Sequence, residues 1–226
     1  AVQVALATLW RSWGVEPAAI VGHSLGEAAA AHIAGALSLE DAARVVCARA
    51  QLLRRVRGHG AMVAAEVSLT EAQELVADEE SRVAIAASNS HRSTVLSGDR
   101  AVLADLVAVL EQRDRFCRWI EVDVASHSPQ MDALGADLKD AIAGLQSAAP
   151  SIPIYSTVTG DLLAARPLDA GYWVEHLCSP VRFSPTLRRL LDAGHDAVVE
   201  ISPHPILLSA VREDAEDLGR SCTLLP

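Results

Sequence analysis

Ser24 stands in the run Gly22-His23-Ser24-Leu25-Gly26-Glu27, with the apolar residues Ala18-Ala19-Ile20-Val21 before it and an alanine-rich stretch to about Ala36 after it. A serine flanked two residues either side by glycine, where a strand runs into a helix, leaves the chain few paths. The turn is too sharp for side chains at the flanking positions, so the hydroxyl is left exposed. The helix that follows aims its free N–H groups and positive dipole end at the same spot. The backbone N–H of Leu25 is then placed to stabilise an oxyanion formed at an attacked carbonyl. The same residues also fit an ordinary βα turn whose serine caps the helix. Both readings require a strand followed at once by a helix, and so an α/β arrangement.

Around this turn the chain reads as two bodies. Val2, Ala5, Leu6, Leu9, Trp10 and Trp13 recur at helical spacing, and Gly14 ends that helix. Ser38-Leu39-Glu40-Asp41 resembles a capping box with Asp in the place of Glu, opening a helix that carries Arg44, Arg49, Gln51 and Leu52. From Gly60 the pattern changes. GAMVAAEV reads as a strand, TEAQELVA as a helix capped by Thr70, VAIAASN and STVLSG as strands, DRAVLADLVAVLEQ as a helix and CRWIEVD as a strand. That β-α-β-β-α-β order is the ferredoxin-like pattern. The spacing therefore predicts an α/β-hydrolase-like subdomain with a parallel sheet over 1–59 and 124–226, interrupted by a ferredoxin-like subdomain over 60–123. In the closing part, PQMDALGADLKDAIAGL reads as an amphipathic helix with Pro129 near its start. IPIYSTVTG and AVVEI read as buried strands, and SPTLRRLLDAG and ILLSAVREDA as helices. The first residues start mid-helix with no capping residue, as expected of a piece cut from a longer chain.

Charge and cysteine usage exclude several function classes. A formal net charge of -10 argues against a nucleic-acid partner or an anionic membrane surface, both of which need a basic face. No apolar run approaches the roughly 18–20 residues that span a bilayer. Arg11 interrupts the opening segment, which does not read as a signal peptide. Cys47, Cys117, Cys178 and Cys222 form no CxxC pair and have no histidine at metal-ligand spacing. A reducing, cytoplasmic setting with ordinary buried thiols and no metal follows.

A nucleophilic serine needs a base. His23 adjoins Ser24, so its side chain should point elsewhere, and His32 belongs to helix packing. His59, His91 and His195 lie in polar turns. His127, at a strand end before a proline-containing helix start, and His204, within Ser202-Pro-His-Pro205, are the two candidates.

Several motifs together resemble one family. Gly22 to Glu27, Arg49-Ala-Gln51, Gly60-Ala-Met62, Asn89 with Val95-Leu-Ser-Gly98, and Val124-Ala-Ser-His127 look like the acyltransferase domain of type I polyketide synthases. Tyr155 to Gly160, Tyr172-Trp173, Pro180-Val-Arg-Phe183 and Ser202 to Pro205 continue the likeness in order. The family includes malonyl-CoA:acyl-carrier-protein transacylases. The resemblance implies that Ser24 attacks an acyl-CoA thioester while His127 takes its proton, and that a carrier protein's phosphopantetheine thiol later removes the acyl group. It implies a backbone carbonyl that orients the imidazole, at the position of His176, where Asn or Gln is usual. His204 is then structural. Arg49 would grip the free carboxylate of a malonyl-type unit, with Ala50 departing from the family's serine. Val124 and Ser126 would set the extender, with His23 and Leu25 also bordering that choice. Ser126 leaves room for a methyl branch, while Val124 fits neither the malonyl nor the methylmalonyl pattern, so methylmalonyl is favoured slightly over malonyl. No cofactor is bound by such a domain. Its partners are the acyl-CoA, an acyl carrier protein and the adjacent ketosynthase domain. The family also has an upstream strand and a Gly-Gln-Gly loop supplying a second oxyanion donor. Nothing here matches it, so the N-terminal part of the domain is expected to be missing and activity to be weak.

Two rival readings stand beside this one. An α/β-hydrolase such as a thioesterase would order its triad Ser24, Asp196, His204. A docking domain without catalysis would only pack against neighbouring synthase domains.

Overall fold

The alanines that follow Ser24 are small because their helix is squeezed from several sides. A computed structural model describes residues Ala1–Pro226. Helix α1 (Val2–Ser12) leads to the short strand β1 (Ile20–Val21), the Ser24 turn, and α2 (Gly26–Ile33). Ala28 and Ala31 of α2 are fully buried against α3 (Leu39–Leu53), whose own inner face is Ala42, Val45, Ala48 and Leu52. The Ser38 hydroxyl accepts from the Asp41 N–H, capping α3 as the sequence suggested.

The ferredoxin-like body comes next: β2 (Ala61–Ala65), α4 (Leu69–Val76), β3 (Val83–Ser90), β4 (Ser93–Gly98), α5 (Arg100–Glu111) and β5 (Cys117–Ile120). Its antiparallel sheet has the order β3-β4-β2-β5, so the first strand lies between the third and fourth, as in a ferredoxin-like fold. Val63, Val83, Leu96, Leu103 and Leu110 form a core of their own between the sheet and the two helices. The cap of α4 is Ser68 rather than Thr70. Ser68 has extended backbone and accepts from Glu71 N–H, and the Glu71 carboxylate accepts the Ser68 N–H in return. The chain enters and leaves this body at one point: a Cβ on Gly60 would lie 2.5 Å from the backbone nitrogen of Ala125, so only glycine fits there.

The return segment forms a 3-10 turn at Pro129–Leu134 and only then α6 (Gly135–Ala141), where a single helix was expected. Proline at the start and Gly135 in the middle divide it. Strands β6 (Ile154–Ser156) and β7 (Asp161–Leu162), helices α7 (Ala170–Cys178) and α8 (Phe183–Asp192), strand β8 (Ala197–Val199), α9 (Leu208–Asp217) and β9 (Thr223–Leu225) complete the chain. Ile154, Tyr172, Trp173 and Leu177 extend the core beneath α2 and α3.

The parallel sheet occurs in two pieces. β1 pairs with β6, and β8 with β9, while β7 adds antiparallel to β6. Between the pieces runs an apolar groove of about 550 Å³, bordered by Ile20, Val21, Phe183, Leu187, Val198 and Val199. β8 is consequently only half-buried where a buried strand was expected. The ferredoxin-like sheet joins the larger body along β3, which exchanges backbone hydrogen bonds with Val181: Val181 N–H to Ala86 carbonyl at 2.8 Å and Ser88 N–H to Val181 carbonyl at 3.0 Å. No helix is long and apolar enough to cross a membrane.

Candidate active site

The turn between β1 and α2 is held in a strained form. Ser24 has φ 48, a conformation that costs a residue with a Cβ about 1–3 kcal/mol and persists only where its surroundings enforce it. Gly22 is one enforcing element: a Cβ there would fall 2.3 Å from Glu27 Cα and 2.4 Å from Glu27 N, and neither backbone atom can yield. At Gly26, by contrast, a Cβ would meet only the Gln3 side chain at 3.4 Å. Thr157 Oγ1 lies 3.1 Å from the Gly22 carbonyl and 2.8 Å from Glu27 Oε2, pinning the turn from below. Glu27 is fully buried and also receives the Tyr172 hydroxyl; burial pushes its carboxyl pKa up.

Ser24 does not cap α2. No side-chain cap bond exists there, and Leu25 is already helical. The Ser24 hydroxyl points instead to His127, with Oγ 2.8 Å from Nε2. The Leu25 N–H has no acceptor in the chain, so one donor at the helix start is free beside the hydroxyl.

His127 also has a positive φ, 59, at the exit from the ferredoxin-like body. It is 4% exposed. Its Nδ1 lies 2.8 Å from the Ser179 carbonyl. A carbonyl only accepts, so Nδ1 carries the proton and Nε2 is left to accept the serine O–H. This is the serine–histidine arrangement that nucleophilic acyl transfer needs. Burial, and then the Arg49 charge, hold the His127 pKa down at about 3.

The orienting carbonyl is that of Ser179 and not of His176. Helix α7 continues through Cys178, so the His176 carbonyl follows the helix axis. The chain becomes extended at Ser179 (ψ 152), ahead of Pro180, and swings the Ser179 carbonyl out to the imidazole. His176 instead contributes its ring: Nε2–H donates to the Ser24 main-chain carbonyl at 2.9 Å, and Nδ1 lies 3.3 Å from Arg49 Nη1.

Arg49 projects from α3 into the same hollow and is 5% exposed. Its guanidinium reaches His176 and, at 3.5 Å, His127 Nε2. No carboxylate pairs with it. Burial lowers its pKa to about 10, which still leaves it charged at neutral pH. His23 turns away from Ser24, and its Nε2–H donates to Asn89 Oδ1 on β3 at 2.8 Å. Val124 and Ser126 are half-buried in the segment leading to His127. The rival triad is not assembled, because Asp196 and His204 are both exposed and share no hydrogen bond.

Sequence reasoning missed Ser179, Asn89 and the Glu27–Tyr172–Thr157 support. Ser179 left a usable signal, since a residue before proline is driven to extended backbone where a helix ends. Asn89 left none beyond its place in a motif.

Comparison with known proteins places the chain in a family. The family described as "Acyl transferase domain" matches residues 1–226. The chain is 44% identical over 225 residues to erythronolide synthase EryA2 of Saccharopolyspora erythraea, covering 100% of this chain and 6% of that protein. It is 49% identical over 226 residues to the spectinabilin polyketide synthase system protein NorA' of Streptomyces orinoci, again 100% of this chain and 6% of the relative. The crystal structure of the acyltransferase domain from module 8 of the salinomycin polyketide synthase superposes with a TM-score of 0.97 at 42% identity, over 99% of this chain and 53% of that one. Malonyl-CoA:acyl carrier protein transacylase (FabD) from Xanthomonas oryzae pv. oryzae superposes at 0.87 with 31% identity, over 99% and 73%. The chain thus spans a small part of its curated relatives and about half of the first of these structures. With its fold, its strained serine turn and its serine–histidine pair in the arrangement acyl transfer requires, the chain belongs to the acyltransferase domains of type I polyketide synthases.

Proposed function

We propose that this acyltransferase takes a malonyl-type unit, methylmalonyl or malonyl, from CoA onto Ser24 and hands it to the phosphopantetheine thiol of an acyl carrier protein. The observation that carries the substrate class is Arg49: a guanidinium 5% exposed, with no anionic partner, 3.5 Å from the base. A buried charge without a counter-charge is costly. A carboxylate on the acyl group would supply the missing charge through two parallel hydrogen bonds.

In the first half-reaction the Ser24 oxygen bonds to the thioester carbon as its proton passes to His127 Nε2, and the Leu25 N–H faces the oxyanion. The carbon–sulfur bond then breaks, and CoA leaves as the thiol with the proton from His127. In the second half the carrier thiol gives its proton to His127 and attacks the seryl ester; the carbon–oxygen bond breaks, and Ser24 leaves with the proton from His127. Each time, His127 becomes positive beside Arg49. A substrate carboxylate on Arg49 offsets that repulsion, so a dicarboxylic unit assists the base as well as binding. A simple acetyl group cannot do so.

Methylmalonyl is the favoured extender because Ser126 is small, although one methyl is worth only about 1–3 kcal/mol in a pocket. The carrier protein and an adjacent ketosynthase domain are the partners such a transferase serves. The test is intact-mass analysis after exposure to mixed malonyl-, methylmalonyl- and acetyl-CoA, with Ser24→Ala and His127→Ala alongside. A dicarboxylic adduct on wild type alone is expected. An acetyl adduct in excess, or an adduct surviving Ser24→Ala, refutes the reading.

A further inference from the structure

His176 touches both the nucleophile's backbone and Arg49, yet neither proton transfer nor substrate binding assigns it a task. Its ring is 3% exposed, packed between Trp173 (ring centroids 5.2 Å apart) and Tyr172 (6.5 Å) on its own helix. Its two nitrogens face opposite kinds of partner. Nε2 lies 2.9 Å from the Ser24 carbonyl, which can only accept, and Nδ1 lies 3.3 Å from Arg49 Nη1, which can only donate. These neighbours admit one state of the ring, the neutral Nε2–H tautomer. Protonation would set an N–H against the guanidinium. Burial, Arg49 and His127 all oppose it; the one acid close by, Glu27, lies 3.9 Å from Nε2 and is already bonded to Thr157 and Tyr172.

We propose that His176 is a positioning residue whose ring joins the nucleophile's backbone to the arginine that grips the substrate carboxylate. One hydrogen bond joins the Glu27 N–H, 2.9 Å away, in holding the Ser24 carbonyl and with it the strained turn, φ 48, that aims the hydroxyl at His127. The other holds one Nη of Arg49. Rotation of the ring would release both at once, which ties the aim of the nucleophile to the place of the cation. The second half of this proposal rests on the reading of Arg49 given above.

The experiment compares acylation kinetics of the full-length protein with malonyl-CoA and acetyl-CoA. The variants are His176→Leu, His176→Gln and His176→Asn, with Arg49→Met as control. A hydrogen bond of this kind is worth about a tenfold effect, more when one partner is charged. His176→Leu should lower kcat about 10-fold with both thioesters and raise KM about 10-fold for malonyl-CoA alone. His176→Gln, whose amide can donate to the Ser24 carbonyl from about the position of Nε2, should recover kcat. His176→Asn, whose amide oxygen sits at about the position of Nδ1, should recover the malonyl KM without kcat. Gln and Asn carry the test by themselves if the leucine variant fails to fold. The same change of KM with both thioesters, or no separate recovery by Gln and Asn, would fit plain packing and overturn the proposal. If Arg49→Met leaves the malonyl preference unchanged, the carboxylate reading has failed. A normal Arg49→Met response beside an unmoved malonyl KM in His176→Leu sinks the His176 proposal alone.

Discussion

Replacing Arg49 by methionine should turn the substrate preference over while leaving the free protein at least as stable. The guanidinium lies 3.5 Å from the nitrogen that must become positive during attack. Two unit charges near that distance repel by on the order of 4 kcal/mol at an effective dielectric of about 20. A malonyl carboxylate screens this in wild type; acetyl does not. Removing the charge should therefore speed acylation by acetyl-CoA, by about tenfold even if solvent in the open site absorbs most of the repulsion. Malonyl-CoA loses its charge-assisted bonds, worth about 1.5–3 kcal/mol, and must also leave its carboxylate unpaired in a buried place. A fall of at least about 100-fold follows, so the ratio of kcat/KM for the two thioesters should move by about a thousandfold. Stability should not suffer. Burying one unpaired cation costs several kcal/mol, whereas the lost contacts to two imidazoles are worth about 1–3 kcal/mol together. Stopped-flow release of CoA gives the rates, and denaturant unfolding gives the stability. A ratio within about threefold of wild type would refute the reasoning, as would a slower reaction with acetyl-CoA.

Three further outcomes are expected. Since burial and Arg49 hold the His127 pKa near 3, the base stays neutral in the free protein well below the ordinary histidine value of 6.5. Loss of kcat/KM on acidification should therefore begin far below pH 6.5, whereas bound carboxylate raises the pKa and moves the acid limb of kcat to higher pH; a kcat/KM limb at 6.5 would contradict this. Gly22→Ala, forcing a methyl group onto the Glu27 backbone, should destabilise by about 1–3 kcal/mol or more and abolish adduct formation, read by thermal unfolding and intact mass. Ser126→Phe should lower methylmalonyl transfer relative to malonyl by about 10–200-fold in a competition between the two CoA esters.

The parts of this molecule that the sequence made readable are the local ones. The Ser24 turn was legible because its constraint acts within six residues: Gly22 touches Glu27. The ferredoxin-like order was legible because each strand and helix carries its own periodicity, as with the alternating burial of β2. The split of the parallel sheet was not, since periodicity in β1 or β8 says nothing about which strand lies beside it. His127 could be narrowed to one of two histidines and no further without the family resemblance, because its pairing with Ser24 spans 103 positions. His176 was misread for a definable reason. The family pattern points to its backbone, yet Tyr172, Trp173 and His176 share the buried side of α7. That spacing already placed the ring, rather than the carbonyl, inside the protein.

The site's strain explains why it is assembled from so many distant segments. Three non-glycine residues in the chain have positive φ, and two of them are Ser24 and His127. Each such conformation costs about 1–3 kcal/mol, and neither residue can hold it alone. Ser24 is secured by Thr157 beneath the turn, by His176 at its carbonyl and by the closeness of Gly22 to Glu27. His127 is secured by Ser179 and by the junction of Gly60 with Ala125 next to it. These anchors come from α7, from the turn after β6 and from both connections to the ferredoxin-like body. A hydroxyl and an imidazole 2.8 Å apart are therefore a product of the packed whole. Loosening the contact between the two bodies, for instance at the Val181–β3 hydrogen bonds, should cost activity before it costs secondary structure.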